Sequence, residues 1–305
     1  MTENMDDKVL RDILRLKEQK KAIILAHNYQ LGEVQDMADF VGDSLELSQE
    51  AAKTDAEVIV FCGVHFMAET ASIICPGKTV LLPDLHAGCP MANMVTAKRL
   101  REKKKEYPRA KVVCYINSTA AVKAESDVCC TSANAVRIVE KLTDAEDILF
   151  VPDQYLGNYV SSKTGREMIL WPGFCPTHVR IQPHDISRRK AEYPHAKIVV
   201  HPECRPEVIA LADEVLSTGG ICQFAHETEA KEIIVGTEIG VIYRLKKENP
   251  EKLFISASEQ AVCPRMKLIT LDNILWSLER MSHQIKVPER TRLRAKAAVD
   301  KMLET

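Results

Sequence analysis

The chain repeats itself three times at an interval of about 87 residues. Three cysteines that precede prolines mark the repeat: 86 residues separate Cys89 from Cys175, and 88 separate Cys175 from Cys263. The hexapeptide EYPRAK at 106–111 returns as EYPHAK at 192–197, again 86 residues later. This interval is too long for a solenoid repeat, but it suits a small α/β domain that is used three times.

Within each repeat, short apolar strands alternate with amphipathic segments, a pattern that predicts βαβ units with parallel sheets. We therefore expect an α/β protein of three similar three-layer αβα domains, arranged with pseudo-threefold symmetry around a central active site. The predicted units are residues 1–100 with an N-terminal helix, 101–187, and 188–305 with C-terminal helices. Together they should form one compact body.

Polar residues recur at equivalent strand ends in the three repeats. His27, Asn117 and His201 follow the first strand of each repeat, and small hydroxyl residues occupy the second connection. These hydroxyl residues are Ser44, Ser132 and Thr218. Because ligands of parallel sheets bind beyond the carboxyl ends of the strands, the sequence predicts a single shared cavity lined by these groups.

The composition is that of a globular protein, with 46% hydrophobic and 28% charged residues and a net charge of −2. The longest apolar runs are far shorter than the ~20 residues that a membrane helix needs, and the first residues lack a signal-peptide pattern. We therefore expect a cytoplasmic protein that binds neither membranes nor nucleic acid. In a reducing compartment, ten cysteines favour thiol or metal chemistry over disulfides.

Three cysteines at matching positions form an incomplete ligand set. Structural zinc sites and ferredoxin clusters normally take four protein ligands. Three thiolates on a [4Fe-4S] cluster leave one iron open as a Lewis acid, so the count favours a catalytic cluster. Another [4Fe-4S] hydro-lyase, a non-catalytic iron–sulfur sensor or electron carrier, and a zinc hydrolase remain alternatives. The other cysteines are expected to be core residues, namely Cys62, Cys75, Cys114, Cys129, Cys130, Cys204 and Cys222.

Several motifs in chain order resemble those of the quinolinate synthase family. They are AHNYQ at 26–30, VGDSLEL at 41–47, CPMAN at 89–93, YINST at 115–119, TSANAV at 131–136, CPTH at 175–178, HPEC at 201–204 and STGG at 217–220. The resemblance covers essentially the whole chain. It implies an enzyme of de novo NAD biosynthesis that condenses iminoaspartate (iminosuccinate) with dihydroxyacetone phosphate to quinolinate, phosphate and water.

The resemblance also assigns roles to individual residues. It implies one [4Fe-4S] cluster per chain, held by Cys89, Cys175 and Cys263 with one open iron. Tyr29 matches a mobile tyrosine that helps to close the site, and Glu203 matches an acid or base. The residues that match substrate-binding positions are His27, Ser44, Tyr115, Ile116, Asn117, Ser132, His201, Pro202, Glu203 and Thr218.

The sequence leaves some roles open. His27, His201 and Glu203 are the available acids and bases, and His27, Tyr29 and Glu203 are the predicted catalytic residues. His178 is a candidate neighbour of the cluster, whereas Glu69 and Glu238 either line the cavity or form ion pairs. The pathway implies an aspartate oxidase or dehydrogenase as the source of the imine.

Overall fold

Three four-stranded parallel sheets organise residues 5–305, the part of the chain that the computed structural model describes. The first sheet contains β1 (Ala22–His27), β2 (Phe40–Gly42), β3 (Val58–Cys62) and β4 (Thr79–Leu81). The second contains β5 (Lys111–Tyr115), β6 (Val128–Cys130), β7 (Ile148–Val151) and β8 (Ile169–Leu170). The third contains β9 (Lys197–Val200), β10 (Glu214–Val215), β11 (Glu232–Gly236) and β12 (Leu253–Ser256).

The strand order is the same in all three sheets: β2-β1-β3-β4, β6-β5-β7-β8 and β10-β9-β11-β12. Helices separate the strands. They are α1 (Met5–Gln19), α2 (Gly32–Met37), α3 (Ser44–Lys53), α4 (His65–Ile74), α5 (Ala97–Glu106), α6 (Ala120–Lys123), α7 (Ala135–Lys141), α8 (Gln154–Thr164), α9 (Pro183–Glu192), α10 (Pro206–Ile209), α11 (Thr218–Glu227), α12 (Val241–Glu248), α13 (Leu271–Arg280) and α14 (Glu289–Leu303). The predicted fold class of three similar αβα units is therefore confirmed.

The central strands are buried on both faces, which explains their continuous apolar sequences. All five residues of β3, VIVFC, are buried. A repeated side-chain contact also fixes the edge of each sheet: an aspartate just before the second strand accepts a hydrogen bond from a backbone amide of the first. The pairs are Asp39 with Ile24, Asp127 with Val112 and Asp213 with Ile198, each at 2.8 Å. The threefold repeat therefore extends to individual hydrogen bonds.

The C-terminal helices pack on units that precede them in the chain. Helix α13 contacts α1, whereas α14 contacts β6, α6 and α4. The end of the chain therefore joins the first and second units, and the boundaries near residues 100 and 187 stay predictions. Among helices in the described residues, none has the length and apolarity that crossing a bilayer requires.

Candidate active site

A cavity of about 280 Å³ is lined by residues that follow strands of all three sheets. Its lining contains most of the predicted site residues, namely His27, Tyr29, Ser44, Cys89, Tyr115, Asn117, Ser132, Cys175, His201, Glu203, Thr218 and Cys263. Ile116 and Pro202 were also predicted to bind substrate, but they lie outside the lining. Both are buried between two lining residues. Ile116 lies in a bend just after β5, and Pro202 lies in a turn just after β9. Their substrate-binding role stays a prediction.

Each Cys-Pro turn leads into a short 3₁₀ helix. These helices are Met91–Asn93, His178–Arg180 and Met266–Leu268. In each turn, the backbone amide three residues after the cysteine acts on the sulfur and favours its thiolate. Burial is the larger effect, because it raises the pKa of Cys89 to about 12 and also raises the pKa values of Cys175 and Cys263. The three turns are therefore suited to bind a cationic group that keeps the sulfurs deprotonated.

The three sulfurs of Cys89, Cys175 and Cys263 do not all lie within 4.8 Å of one another. A single zinc ion with Zn–S bonds of about 2.3 Å would bring tetrahedral sulfur ligands to roughly 3.8 Å apart. The three cysteines are thus too far apart to share one zinc ion, which favours a larger polynuclear group. Cys175, His178 and Glu203 do offer three ligand atoms within 4.8 Å of one another, so zinc has to be tested by metal analysis.

Small hydroxyl residues lie at helix starts on another part of the cavity wall. Ser44 and Thr218 are the first residues of α3 and α11, but their preceding residues provide the caps. Asp43 accepts the amides of the first turn of α3, and Ser217 accepts the Gly220 amide at 3.1 Å. Because the capping is done by neighbours, the hydroxyls of Ser44 and Thr218 are left for the cavity.

Asp43 was not identified as a site residue from the sequence, whereas Ser217 was noted with Thr218 among the hydroxyl residues of the second connection. The Ser217 hydroxyl donates to Asp43 Oδ2 at 3.0 Å, so the caps of α3 and α11 are hydrogen-bonded to each other across two units. Asn28 Nδ2 donates to Thr218 Oγ1 at 3.1 Å, which leaves the Thr218 proton available to a ligand. An aspartate immediately before a helix is a capping signal that could have identified Asp43.

The two strand-end histidines accept the same kind of backbone hydrogen bond. His27 Nδ1 accepts the Tyr29 amide at 3.1 Å, and His201 Nδ1 accepts the Glu203 amide at 3.3 Å. Each ring therefore carries its proton on Nε2, which in His201 lies 3.2 Å from Ser132 Oγ. Burial lowers the pKa of both histidines to about 3, so both are neutral near pH 7.

Glu203 lies at the centre of the polar contacts. Its carboxylate is 2.7 Å from His178 Nδ1, and that nitrogen is 3.2 Å from Cys175 Sγ. Burial raises the pKa of Glu203, but the neighbouring His178 and His201 and hydrogen bonding lower it to about 2. The carboxylate is therefore ionised beside two histidine rings whose centroids are 4.6 Å apart. The predicted position of His178 next to a cysteine turn agrees with this geometry.

Three further lining residues present neutral polar groups. The Tyr29 hydroxyl is 2.6 Å from Thr237 Oγ1 and 3.3 Å from His178 Nε2. Burial raises the pKa values of Tyr29 and Tyr115 well above their ordinary range, so both phenols keep their protons. Asn117 Nδ2 donates weakly to Glu203, whereas its buried Oδ1 has no hydrogen-bond partner within residues 5–305. This orphaned acceptor is available to a donor on a ligand.

The two other acids left open by the sequence do not line the cavity. Glu69 accepts the Ala120 amide at 2.9 Å at the start of α6. Glu238 is fully buried and accepts the amides of Cys263 and Gly240. Cys75 directly follows α4 and donates its thiol hydrogen to the Ala51 carbonyl at 3.0 Å, so it belongs to a helix end and not to the cavity.

These observations define a class of protein: three parallel α/β units that share one central, cysteine-lined site. Sequence comparison then gives the family. The chain belongs to the quinolinate synthetase A protein family, whose model matches residues 11–304. It is therefore an enzyme of NAD biosynthesis, and the resemblance stated from the motifs is confirmed.

Curated relatives agree over nearly the full length of the chain. A quinolinate synthase of Dehalococcoides mccartyi (strain CBDB1) is 63% identical over 95% of this chain and 96% of the relative. Quinolinate synthases of Geotalea uraniireducens (strain Rf4) and Methanosarcina barkeri (strain Fusaro / DSM 804) are 56% and 53% identical, each over 97% of both chains.

Proposed function

We propose that this enzyme condenses iminoaspartate with dihydroxyacetone phosphate to quinolinate, phosphate and water, using one [4Fe-4S] cluster with three cysteine ligands. The observation that carries the proposal is the convergence of three Cys-Pro turns, one from each unit, on a cavity that also contains three hydroxyl residues at or near helix starts. One region is suited to a cationic cofactor, and the other is suited to anionic substrates.

The cluster assignment is supported by the donor set. Cys89, Cys175 and Cys263 are its proposed ligands, and the amides of the 3₁₀ turns would stabilise their sulfurs as anions. The separation of the three sulfurs argues against a single zinc ion held by all three cysteines. When bound, such a cluster supplies a Lewis-acidic iron for a hydroxyl or carboxylate group of the substrate.

Substrate binding is assigned to the helix starts. Iminoaspartate carries two carboxylates, and dihydroxyacetone phosphate carries a phosphate. Ser44 and Thr218 offer hydroxyls at the positive ends of α3 and α11, and Ser132 does so three residues before α7 begins. Backbone amides and the helix dipole favour anions at such positions. Asn117 Oδ1 and the phenol of Tyr115 would orient the neutral part of the substrate.

Acid and base roles follow from the protonation states. Glu203 is ionised, so it is the proposed base for proton removal from the condensing carbon. His27 and His201 are neutral with a proton on Nε2, so each Nε2–H group can donate a hydrogen bond to a negative charge that develops on the substrate. Tyr29, whose phenol contacts Thr237 and His178, is proposed to close the cavity over the substrates.

The iminoaspartate is unstable in water, so an aspartate oxidase or dehydrogenase is the proposed source of the imine. We also propose that the enzyme works in the cytoplasm, where iron–sulfur cofactors and reduced cysteines persist.

The direct test is an anaerobic assay in which iminoaspartate is generated in situ and dihydroxyacetone phosphate is added. We expect quinolinate and inorganic phosphate to form in equal amounts, and only when both substrates are present. A cluster-loaded enzyme that forms no quinolinate would overturn the substrate assignment and favour another hydro-lyase. Ligand-induced changes in the electron paramagnetic resonance of the reduced cluster would separate a catalytic cluster from a sensor.

A further inference from the structure

Glu238 is a buried carboxylate that directly contacts the turn of the third cysteine. It follows β11, and its side chain is completely inaccessible to solvent. Oε1 accepts the Cys263 amide at 3.0 Å, and Oε2 accepts the Gly240 amide at 2.7 Å. The Lys267 ammonium lies 3.1 Å from Oε1, so the buried charge has a cationic partner four residues after Cys263.

Lys267 connects this carboxylate to the first unit. Besides contacting Glu238, its ammonium donates to the backbone carbonyl of Tyr29. The approach is so close that a Cβ at Gly240 would lie 2.6 Å from Lys267 Nζ and 2.7 Å from the Tyr29 carbonyl oxygen. Only glycine allows three backbone segments to meet around this ammonium.

The Tyr29 segment is held by further contacts to the same region. Its phenol contacts Thr237, which directly precedes Glu238. The Gln35 side-chain amide donates to the Gln30 carbonyl at 3.0 Å and to the Gly240 carbonyl at 3.1 Å. The backbone of residues 28–30 and the turn 263–267 therefore share one buried polar network centred on Glu238 and Lys267.

The equivalent positions of the other units lack this connection. Two residues after the third strand, the first unit has Val64, which carries no polar side chain. The second unit has Asp153, whose Oδ1 accepts the Tyr155 and Leu156 amides and caps α8. The Cys175 amide also acts on this carboxyl, but no lysine pairs with it among the described residues. The second unit thus shares the carboxyl group at its cysteine turn, whereas within residues 5–305 the lysine that links this carboxylate to another unit occurs in the third unit.

We propose that Glu238 and Lys267 are positioning residues that couple the Cys263 turn to the Tyr29 segment. The inference rests on the proposed function for what Cys263 binds and what Tyr29 covers. The pair holds a ligand turn and a closing segment through one buried charge pair, so loosening either segment loosens the other. Cofactor retention and closure of the cavity then depend on the same two side chains.

The test is hydrogen–deuterium exchange with mass spectrometry on the anaerobically purified full chain. Lys267→Met should accelerate exchange about tenfold or more, both in peptides covering 28–31 and in peptides covering 263–267, since hydrogen bonds to charged groups are lost there. The matched control is Lys247→Met, which breaks the exposed ion pair with Asp36 between α12 and α2. It should leave exchange in both segments unchanged.

A double variant tests the coupling in a protein that does not bury an unpaired charge. Lys267→Met leaves Glu238 buried without its partner, whereas Lys267→Met with Glu238→Gln removes both charges. The double variant should be the more stable one and should still show fast exchange in both segments. Wild-type exchange in the folded double variant, or acceleration in only one segment, would overturn the coupling.

Release of iron to a chelator gives a second readout. The double variant should lose iron about tenfold faster than the Lys247→Met control, whereas an unchanged rate would count against a role in cofactor retention. If the wild-type chain contains no iron and sulfide, the proposed function fails, but the exchange comparison still tests the coupling. The two failures are therefore distinguishable.

Discussion

The cavity has two walls that are built from different corners of the same repeated unit. One wall consists of the turns at Cys89, Cys175 and Cys263, where burial raises the thiol pKa values and backbone amides favour thiolates. The other consists of the helix starts with Ser44, Ser132 and Thr218, where neutral hydroxyls lie beside amide groups. The comparison teaches that triplication supplied two threefold sets of ligands, one suited to a metal cofactor and one suited to anions.

The largest effect is expected on the cysteine wall. Cys175→Ala removes one of three proposed ligands, and the protein should lose cluster binding and activity completely. Iron, acid-labile sulfide and quinolinate formation should be measured on the same preparation. The control is Cys75→Ala, which removes a buried thiol that also precedes proline. Within residues 5–305, the hydrogen-bond partner of this thiol is the Ala51 carbonyl. The control should keep its iron; full iron content in Cys175→Ala would contradict the ligand assignment.

Glu203 lies between the two walls, so its replacement should separate chemistry from cofactor binding. Glu203→Gln keeps the shape of the side chain but removes the ionised carboxylate. We expect kcat to fall about 10²- to 10⁴-fold with iron content unchanged, as for loss of a general base. Glu207→Gln, at an exposed position of α10, is the matched control. A small change in kcat would exclude Glu203 as the base.

A smaller effect is expected on the hydroxyl wall. Ser44→Ala removes one neutral donor to an anionic group, so KM should rise about tenfold while iron content stays constant. Ser48→Ala is the control in the same helix, because its hydroxyl donates to the Ser44 carbonyl and not to the cavity. If Ser44→Ala lowered iron content as strongly as Cys175→Ala, the two walls would not have separate roles.

The smallest effect concerns stability and pH. Burial lowers the folded-state pKa of His27 to about 3, below an unfolded value of about 6.5. Below pH 6.5 the unfolded chain binds a proton that the folded chain does not, so stability falls as the pH decreases toward 3. Each such histidine contributes a loss of about 1.4 kcal/mol per pH unit within this window.

Urea unfolding at pH 7 and pH 5.5 tests whether stability falls with decreasing pH. The free energy of unfolding of the wild type should fall by about 1 kcal/mol more than that of His27→Gln, which has one buried titratable ring fewer. His86→Gln, at an exposed ring, should behave like the wild type. An equal pH dependence in all three proteins would show that His27 is not held neutral.

Repeat periodicity predicted the fold and the convergence of the site. The residue interval locates equivalent strand ends, and parallel sheets place these ends on one side, so Cys89, Cys175 and Cys263 could be expected at one cavity. Contacts between units were not predictable in the same way. The contacts of Ser217 with Asp43 and of Lys267 with Tyr29 depend on how the units pack, and the sequence interval contains no information on that packing.

The predicted residues also differ in whether they line the cavity. Ile116 and Pro202 belong to matching motifs, yet they lie outside the lining, in a bend and a turn whose side-chain directions the motif does not specify. Asp43 is the converse case: the residue before a helix start provides the cap, and this leaves the hydroxyl of Ser44 for the cavity.

The central claim is that the cysteine wall holds a polynuclear cluster, and metal analysis tests it most directly. Iron, acid-labile sulfide and zinc should be measured per chain after purification without oxygen. The account predicts about four iron and four sulfide per chain, as in a cuboidal cluster. Stoichiometric zinc without sulfide would contradict it.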